Sequence, residues 1–188
     1  MRYTTHGAVY ESVKSRTANN KDLISSTPMN EPDWDAWTPT ERAVLCFVVR
    51  NGEILLIHKK RGLGKGKVNG PGGRIEKGES AREAAVRETR EEVGVTPTGL
   101  EERGEVWFQF VDGYALHVTV FAADGAEGTL KETDEADPFW ADVKKIPYGE
   151  MWTDDRLWLP WMLERKKFVG RFHYDGDLML SGDVRGEK

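Results

Sequence analysis

The sequence predicts an α/β fold, a mixed β-sheet with helices against its faces. Three observations predict it. Two apolar stretches, each interrupted by an Asn-Gly or Asp-Gly pair, have the form of β-hairpins. Between them lies a segment with both a helix start and a helix stop, and after them a second helical segment opens on Thr153 and two aspartates. Hairpins alternating with helices over 188 residues fit one layered domain with a substantial core.

In chain order, residues 1–40 show neither helical nor strand periodicity and read as a flexible or loosely attached extension; Met29 near its end offers an alternative start. "RAVLCFVVR", Asn51-Gly52 and "EILLIHKK" then form the first hairpin, because Asn-Gly readily takes the positive φ angles of a two-residue turn. The helix follows "NGPGG". Ser80 with Glu83 fits a capping box, Ala81, Ala84 and Ala85 favour helix, and Gly94 stops it. The second hairpin is "EVWFQFV", Asp112-Gly113 and "YALHVTVF". Residues 156–168 read as a second helix, capped by Thr153 or an aspartate, with Pro160 as a local irregularity.

A net charge of −5 argues against a broad electrostatic footprint for a nucleic acid polymer. The longest apolar run, residues 43–49, is far short of the roughly twenty residues that cross a bilayer, and no signal-peptide pattern opens the chain. The lone Cys46 lies inside that run and reads as a buried strand residue, which fits a reducing cytoplasm. His58, His117 and His173 lack ligand spacing and read as structural or surface residues.

The first helix carries the chemistry. Glu88, Glu91 and Glu92 stand at i, i+3 and i+4, so their carboxylates are neighbours that repel one another. Helical periodicity places Val86, Thr89 and Val93 on a core side, and the three glutamates with Ala81, Ala84 and Ala85 on the opposite side. A solvated charged face is one explanation. It fits poorly, because Arg87 and Arg90 point around the side of the helix and a solvated face needs no glycine-rich entry. Crowded carboxylates are stable around a hard cation, and Mg²⁺, or Mn²⁺ in its place, takes such oxygen ligands together with phosphate oxygens.

The run from Gly73 through Glu79 to Arg87-Glu88, Glu91-Glu92 and Gly94 resembles the Nudix box, the signature of hydrolases of nucleoside diphosphates linked to another group. Thr89 stands where that family usually has an aliphatic residue. The resemblance implies a Nudix-type α/β/α sandwich and a metal site of Glu88, Glu91 and Glu92, with the Gly72 carbonyl as a further ligand. The resemblance also implies that Glu91 or Glu92 orients or deprotonates the attacking water. Glu79 and Arg87 are expected to pair and hold the loop against the helix, with Gly73 in structural support.

Outside the box, "KKRGLGKGKVNGPGG" and "EMWTDDRLWLPWMLERKKF" are similar to the branch that hydrolyses oxidised purine nucleoside triphosphates. This likeness runs from about residue 41 to 182, leaving 183–188 as a tail. It implies that Asn69, Trp152, Asp154 and Asp155 read the base, that Lys59 lies by the substrate, and that Glu135 adds a metal ligand. Residue chemistry agrees. Trp152 offers a stacking face, with Phe108, Trp140 and Trp158 as candidate neighbours, and Asn69 both donates and accepts. Two adjacent carboxyls in a pocket resist joint ionisation, so one can keep a proton and donate it to a purine oxygen. Alternatively, these acids only cap the following helix. Leu63, Val68 and Pro71 stand where the branch has larger apolar residues, so the pocket wall differs. The expected activity is Mg²⁺-dependent conversion of an oxidised purine nucleoside triphosphate to the monophosphate and pyrophosphate, by a cytoplasmic monomer acting on a small molecule. The alternatives are another nucleoside-diphosphate-linked substrate, such as ADP-ribose, a dinucleotide polyphosphate or an ordinary dNTP, and a nucleotide-sensing module without catalysis.

Overall fold

In a computed structural model, residues 31–186 are described; the reading of residues 1–30, Met29 included, lies outside them. The strands are β1 (Glu41–Arg50), β2 (Glu53–Lys59), β3 (Val68–Asn69), β4 (Val95–Thr98), β5 (Glu101–Phe110), β6 (Ala115–Ala123), β7 (Gly125–Gly128), β8 (Ala136–Asp142), β9 (Phe168–Asp175) and β10 (Leu178–Gly186). The helices are α1 (Ala81–Val93) and α2 (Asp155–Leu163). The main sheet runs β10-β9-β5-β6-β1-β2-β3, with β8 on β2, while β4 and β7 form a separate pair. β1 is parallel to β6, β5 is parallel to β9, and the other pairings are antiparallel.

Strand alternation builds the two faces. Along β1, Val44, Cys46 and Val48 join the core under α1, while Ala43 and Phe47 join the core under α2. Ala84, Ala85 and Val93 of α1 close the first core; Trp158, Leu159 and Met162 of α2 close the second with Phe168 and Phe172 of β9. The result is the expected α/β/α sandwich.

The Asn51-Gly52 turn forms with φ of 53° and 80°, yet β1 and β2 pair only at Val49↔Ile54 and Arg50↔Glu53 before they diverge. β2 pairs with β8 along its whole length and, past its contact with β1, meets β3 at Ile57 and His58. The gap beside β1 is taken by the glycine-rich turn: Cys46 N–H donates to the Pro71 carbonyl and Val44 N–H to the Gly73 carbonyl, both at 2.8 Å. The second hairpin pairs along its whole length, β5 on β6.

Four expectations change. Residues 31–40 are not all a loose extension, because Trp37 stacks on Trp107 at 5.0 Å and donates Nε1–H to Gln109. β10 runs to Gly186, so residues 183–186 belong to the sheet rather than to a tail. On α1, Ala84, Ala85 and Glu92 face inward together with Thr89 and Val93, while Ala81 and Val86 are only half-buried. Small alanines let the helix approach the sheet closely, and that decides the buried face more than the larger valine does. Finally, α2 ends at Leu163 rather than 168. Arg165 takes φ 59°, which breaks the helix before β9 begins at Phe168.

Candidate active site

A cleft of about 710 Å³ opens where β1, the glycine-rich turn and α1 meet the start of α2. Lys59, Asn69, Gly72, Gly73, Glu88 and Glu92 line it. So do Phe108, Glu135, Trp152, Asp154 and Asp155. Residues far apart in sequence thus share one cavity.

At one end, α1 aims its acidic side at the turn. The Ser80–Glu83 capping box starts the helix, and Gly94, in the left-handed region, ends it. Glu92 is nearly fully buried; its Oε1 meets Lys59 Nζ at 3.1 Å and its Oε2 accepts the Gly72 N–H at 2.9 Å. Burial pushes the Glu92 carboxyl up, and Lys59 and the Gly72 N–H hold it down in part. Burial likewise raises Glu88, against the pull of Arg87. The turn has no room for side chains: a Cβ on Gly72 would fall 2.1 Å from the Val44 carbonyl oxygen, and one on Gly73 would fall 2.4 Å from the Glu88 carboxyl.

Arg87 does not point away from the acids. It is the hub of the loop-to-helix joint, with Nε and Nη2 on Glu79 at 2.8 and 2.9 Å, Nη1 on Glu88 at 2.9 Å and on Glu91 at 3.2 Å. Its Nη2 also reaches the Arg74 carbonyl at 3.0 Å. This guanidinium holds Glu79 down at about 2. The expectation that the arginine leaves the cluster unneutralised is therefore corrected: the i, i+4 spacing brings Arg87 back over Glu91.

The carboxylates suit a hard divalent cation in part. Glu88 and Glu92 line the cleft together with Gly72, whose carbonyl accepts no hydrogen bond among the described residues. Glu91 is exposed and turned to Arg87, and Glu135 sits on the rim 3.7 Å from Arg61. Among the described residues no three acids are already gathered in coordinating positions.

At the other end, Trp152 presents its ring beside Lys67 Nζ, 4.8 Å from the ring centroid, and packs edge-on to Tyr174 at 5.4 Å. Gly64 lies against it: a Cβ there would fall 2.9 Å from Trp152 Nε1. Asp154 and Asp155 are almost completely buried, at 1% and 2% exposure. Asp154 occupies the N-cap of α2 but makes no side-chain cap bond. Its Oδ1 accepts the Tyr174 hydroxyl at 2.5 Å and its Oδ2 the Trp158 Nε1–H at 2.8 Å. Asp155 Oδ2 accepts the Trp152 N–H at 3.0 Å. Burial raises both carboxyls, Asp155 much further because Asp154 lies beside it. Asn69 lines the same cavity, and its Oδ1 accepts the Gly70 N–H at 2.8 Å.

Some expected neighbours fall elsewhere. Trp140 packs on the α1 side with Arg50 over its ring at 4.4 Å, because β8 turns that residue away from the cleft. Trp158 lines the cleft only from inside the core and has no exposed face for stacking. His58 stacks on Phe139, His117 pairs with Glu105, and His173 is buried on β9; none lines the cleft. Cys46 is buried, its thiol pushed up to about 11. Tyr174, the partner of Asp154, was not foreseen: no motif marks it, and only the pairing of β9 with β5 brings it there.

Comparison with known proteins agrees with this geometry. Residues 39–162 match the NUDIX domain family. The chain is 45% identical over 133 residues to an oxidized purine nucleoside triphosphate hydrolase of Danio rerio, covering 70% of this chain and 85% of that protein. It is 39% identical over 143 residues to the Mus musculus protein of the same name, covering 75% and 92%. Among solved structures, a mutator MutT protein from Bacillus halodurans superposes with a TM-score of 0.67 at 28% identity, covering 77% of this chain and 97% of that one.

Proposed function

This chain belongs to the Nudix family and is a Nudix hydrolase, and from that premise we propose that it converts oxidised purine nucleoside triphosphates, such as 8-oxo-dGTP, to the monophosphate and pyrophosphate. One observation carries the reading. A single cleft is lined both by acidic side chains of α1 and by a tryptophan beside two buried carboxyls, the two kinds of group that the phosphates and the base of one nucleotide call for. The two named relatives of fish and mouse support the same substrate class.

Nudix hydrolases use a divalent metal, and here the proposed ion is Mg²⁺, with Mn²⁺ able to substitute. Glu88, Glu92 and the Gly72 carbonyl would hold it, joined by Glu91 once it leaves Arg87 and by Glu135 from the rim. When bound, the cation supplies charge stabilisation at the phosphoryl oxygens. Lys59, on Glu92, places a further positive charge where phosphates enter. Glu91 or Glu92 accepts the proton of the attacking water. The base stacks on Trp152 with Phe108 nearby, Asn69 offers its amide, and Asp154 with Asp155 presents one acceptor and one donor to the purine edge. No described helix is long and apolar enough to cross a membrane; the buried single cysteine supports a cytoplasmic setting, and light scattering at one chain's mass checks the proposed monomer.

The test is kcat/KM for 8-oxo-dGTP and dGTP with added Mg²⁺, products identified. Strong preference for 8-oxo-dGTP with pyrophosphate release is expected. Equal turnover of the two removes the oxidised-base reading and leaves another nucleoside-diphosphate-linked substrate.

A further inference from the structure

Within the base-reading role just proposed, on which this inference rests, the two acids are not equivalent. Asp154 has both oxygens engaged by donors. Trp158 Nε1–H can only donate, so Oδ2 is an acceptor. The Tyr174 oxygen accepts the Asp154 backbone N–H at 3.3 Å, which directs its own hydrogen to Oδ1 at 2.5 Å. Asp155 has one engaged oxygen, Oδ2 on the Trp152 N–H, and its Oδ1 has no hydrogen-bond partner among the described residues. A proton shared by the pair has a place on Asp155 and none on Asp154. The titratable groups facing the pair are Tyr174 from β9, Tyr148 from the loop before α2, and the two acids themselves; among the described residues neither acid has an ion-pair partner.

We propose that the Tyr174 hydroxyl is a specificity-determining positioning group: it fixes Asp154 as the hydrogen-bond acceptor and Asp155 as the donor, and so commits the pocket to one donor–acceptor order on the purine edge. A 6-oxo purine presents an acceptor at position 6 beside a donor at N1, and a 6-amino purine presents the reverse. A pair of fixed polarity separates them; a pair free to exchange its proton serves both. Burial raises both carboxyls; the Tyr174 and Trp158 hydrogen bonds restrain Asp154, while the Asp154 charge adds to the rise of Asp155.

Tyr174→Phe keeps the ring and removes only the hydroxyl. The expected result is a change of about tenfold or more in the ratio of kcat/KM for 8-oxo-dGTP against 8-oxo-dATP, toward equality, the size of one hydrogen bond to a charged group. The acid limb of the 8-oxo-dGTP pH profile also moves to higher pH, because Asp154 loses a donor. A ratio and profile both unchanged in a folded variant overturn the proposal. Carbon-13 titration of the aspartate carboxyls in the unaltered protein provides a second check that needs no variant. Asp154 ionises before Asp155, and the reverse order overturns the proposal. Asp154→Asn and Asp155→Asn distinguish the underlying reading: if neither moves discrimination between 8-oxo-dGTP and dGTP, the acids do not read the base, whereas an inert Tyr174→Phe beside responsive acid variants refutes the tyrosine alone.

Discussion

Single side chains near the cleft carry unlike burdens, and Glu92 has the heaviest. It is held by Lys59 and the Gly72 N–H inside a nearly closed environment. Glu92→Gln is expected to lower turnover at least ~10²-fold while the protein stays folded, since the amide keeps the shape but not the charge; near-normal turnover in a folded variant contradicts it. Asp154 and Asp155 give a contrasting pair. Asp155 is raised above its ordinary range, so between about pH 4 and its folded pKa the folded state holds the extra proton. Stability from this group is therefore present below the unfolded pKa and declines as pH rises through the folded one. Asp155→Asn, whose amide oxygen can still accept the Trp152 N–H, should flatten that decline in a series of melting curves. Asp154→Asn should instead cost about 1–3 kcal/mol, because one of two facing donors must meet an NH₂ group; equal melting temperatures for the two variants would count against this assignment. The resemblance to the oxidised-purine branch singled out Asn69, Trp152 and both aspartates, and all four line the cleft. Tyr174 was not singled out, since its role depends on a strand pairing that no local pattern encodes.

Elements show where local signals suffice and where packing overrules them. Helix α1 was readable to its ends, because a capping box and a left-handed glycine are local devices. Its buried face was not. Periodicity favoured the valines, but Ala84 and Ala85 allow close approach to the sheet and draw Glu92 inward with them. The same closeness makes the turn before the helix intolerant. Gly73→Ala should lower both stability, by about 1–3 kcal/mol, and turnover, because its methyl group must displace the Glu88 carboxyl. Calorimetry beside a steady-state assay checks this, and an alanine variant with ordinary values for both excludes the contact. The length of α2 was overestimated because "ERKKF" has no helix breaker in its composition; Arg165 ends the helix through its backbone angle alone.

Across the whole molecule, composition and hairpin order yielded the sandwich but not its strand order. The parallel pairings of β1 with β6 and β5 with β9 join segments distant in sequence, and the Asp175-Gly176 pair that turns β9 into β10, with Gly176 at φ 54°, went unused because the stretch before it was read as helix. Nor did the polar tract before β1 disclose that Trp34 and Trp37 settle on Trp107, with Arg171 4.7 Å above the same ring. Trp107 lies on the face of β5 away from Phe108 and hence away from the cleft. Trp37→Ala should therefore reduce stability by about 0.5–1.5 kcal/mol from the lost aromatic pair, with further loss from reduced burial, and leave kcat/KM unchanged. Chemical denaturation and kinetics on the same preparation test this, and a drop in kcat/KM at full folding would tie the aromatic patch to catalysis.

The divergence of β1 from β2 has one more result. A strand as apolar as "AVLCFVV" with an unpaired side is a template for pairing with another chain, and here that side is sealed by the Pro71 and Gly73 carbonyls of the turn that also positions Glu92. The glycine-rich turn thus occupies an edge that a second chain could otherwise pair with. On slow heating, the loss of activity and the rise in light scattering should share one midpoint, and a saturating non-hydrolysable nucleotide that holds the turn in place should move both upward together.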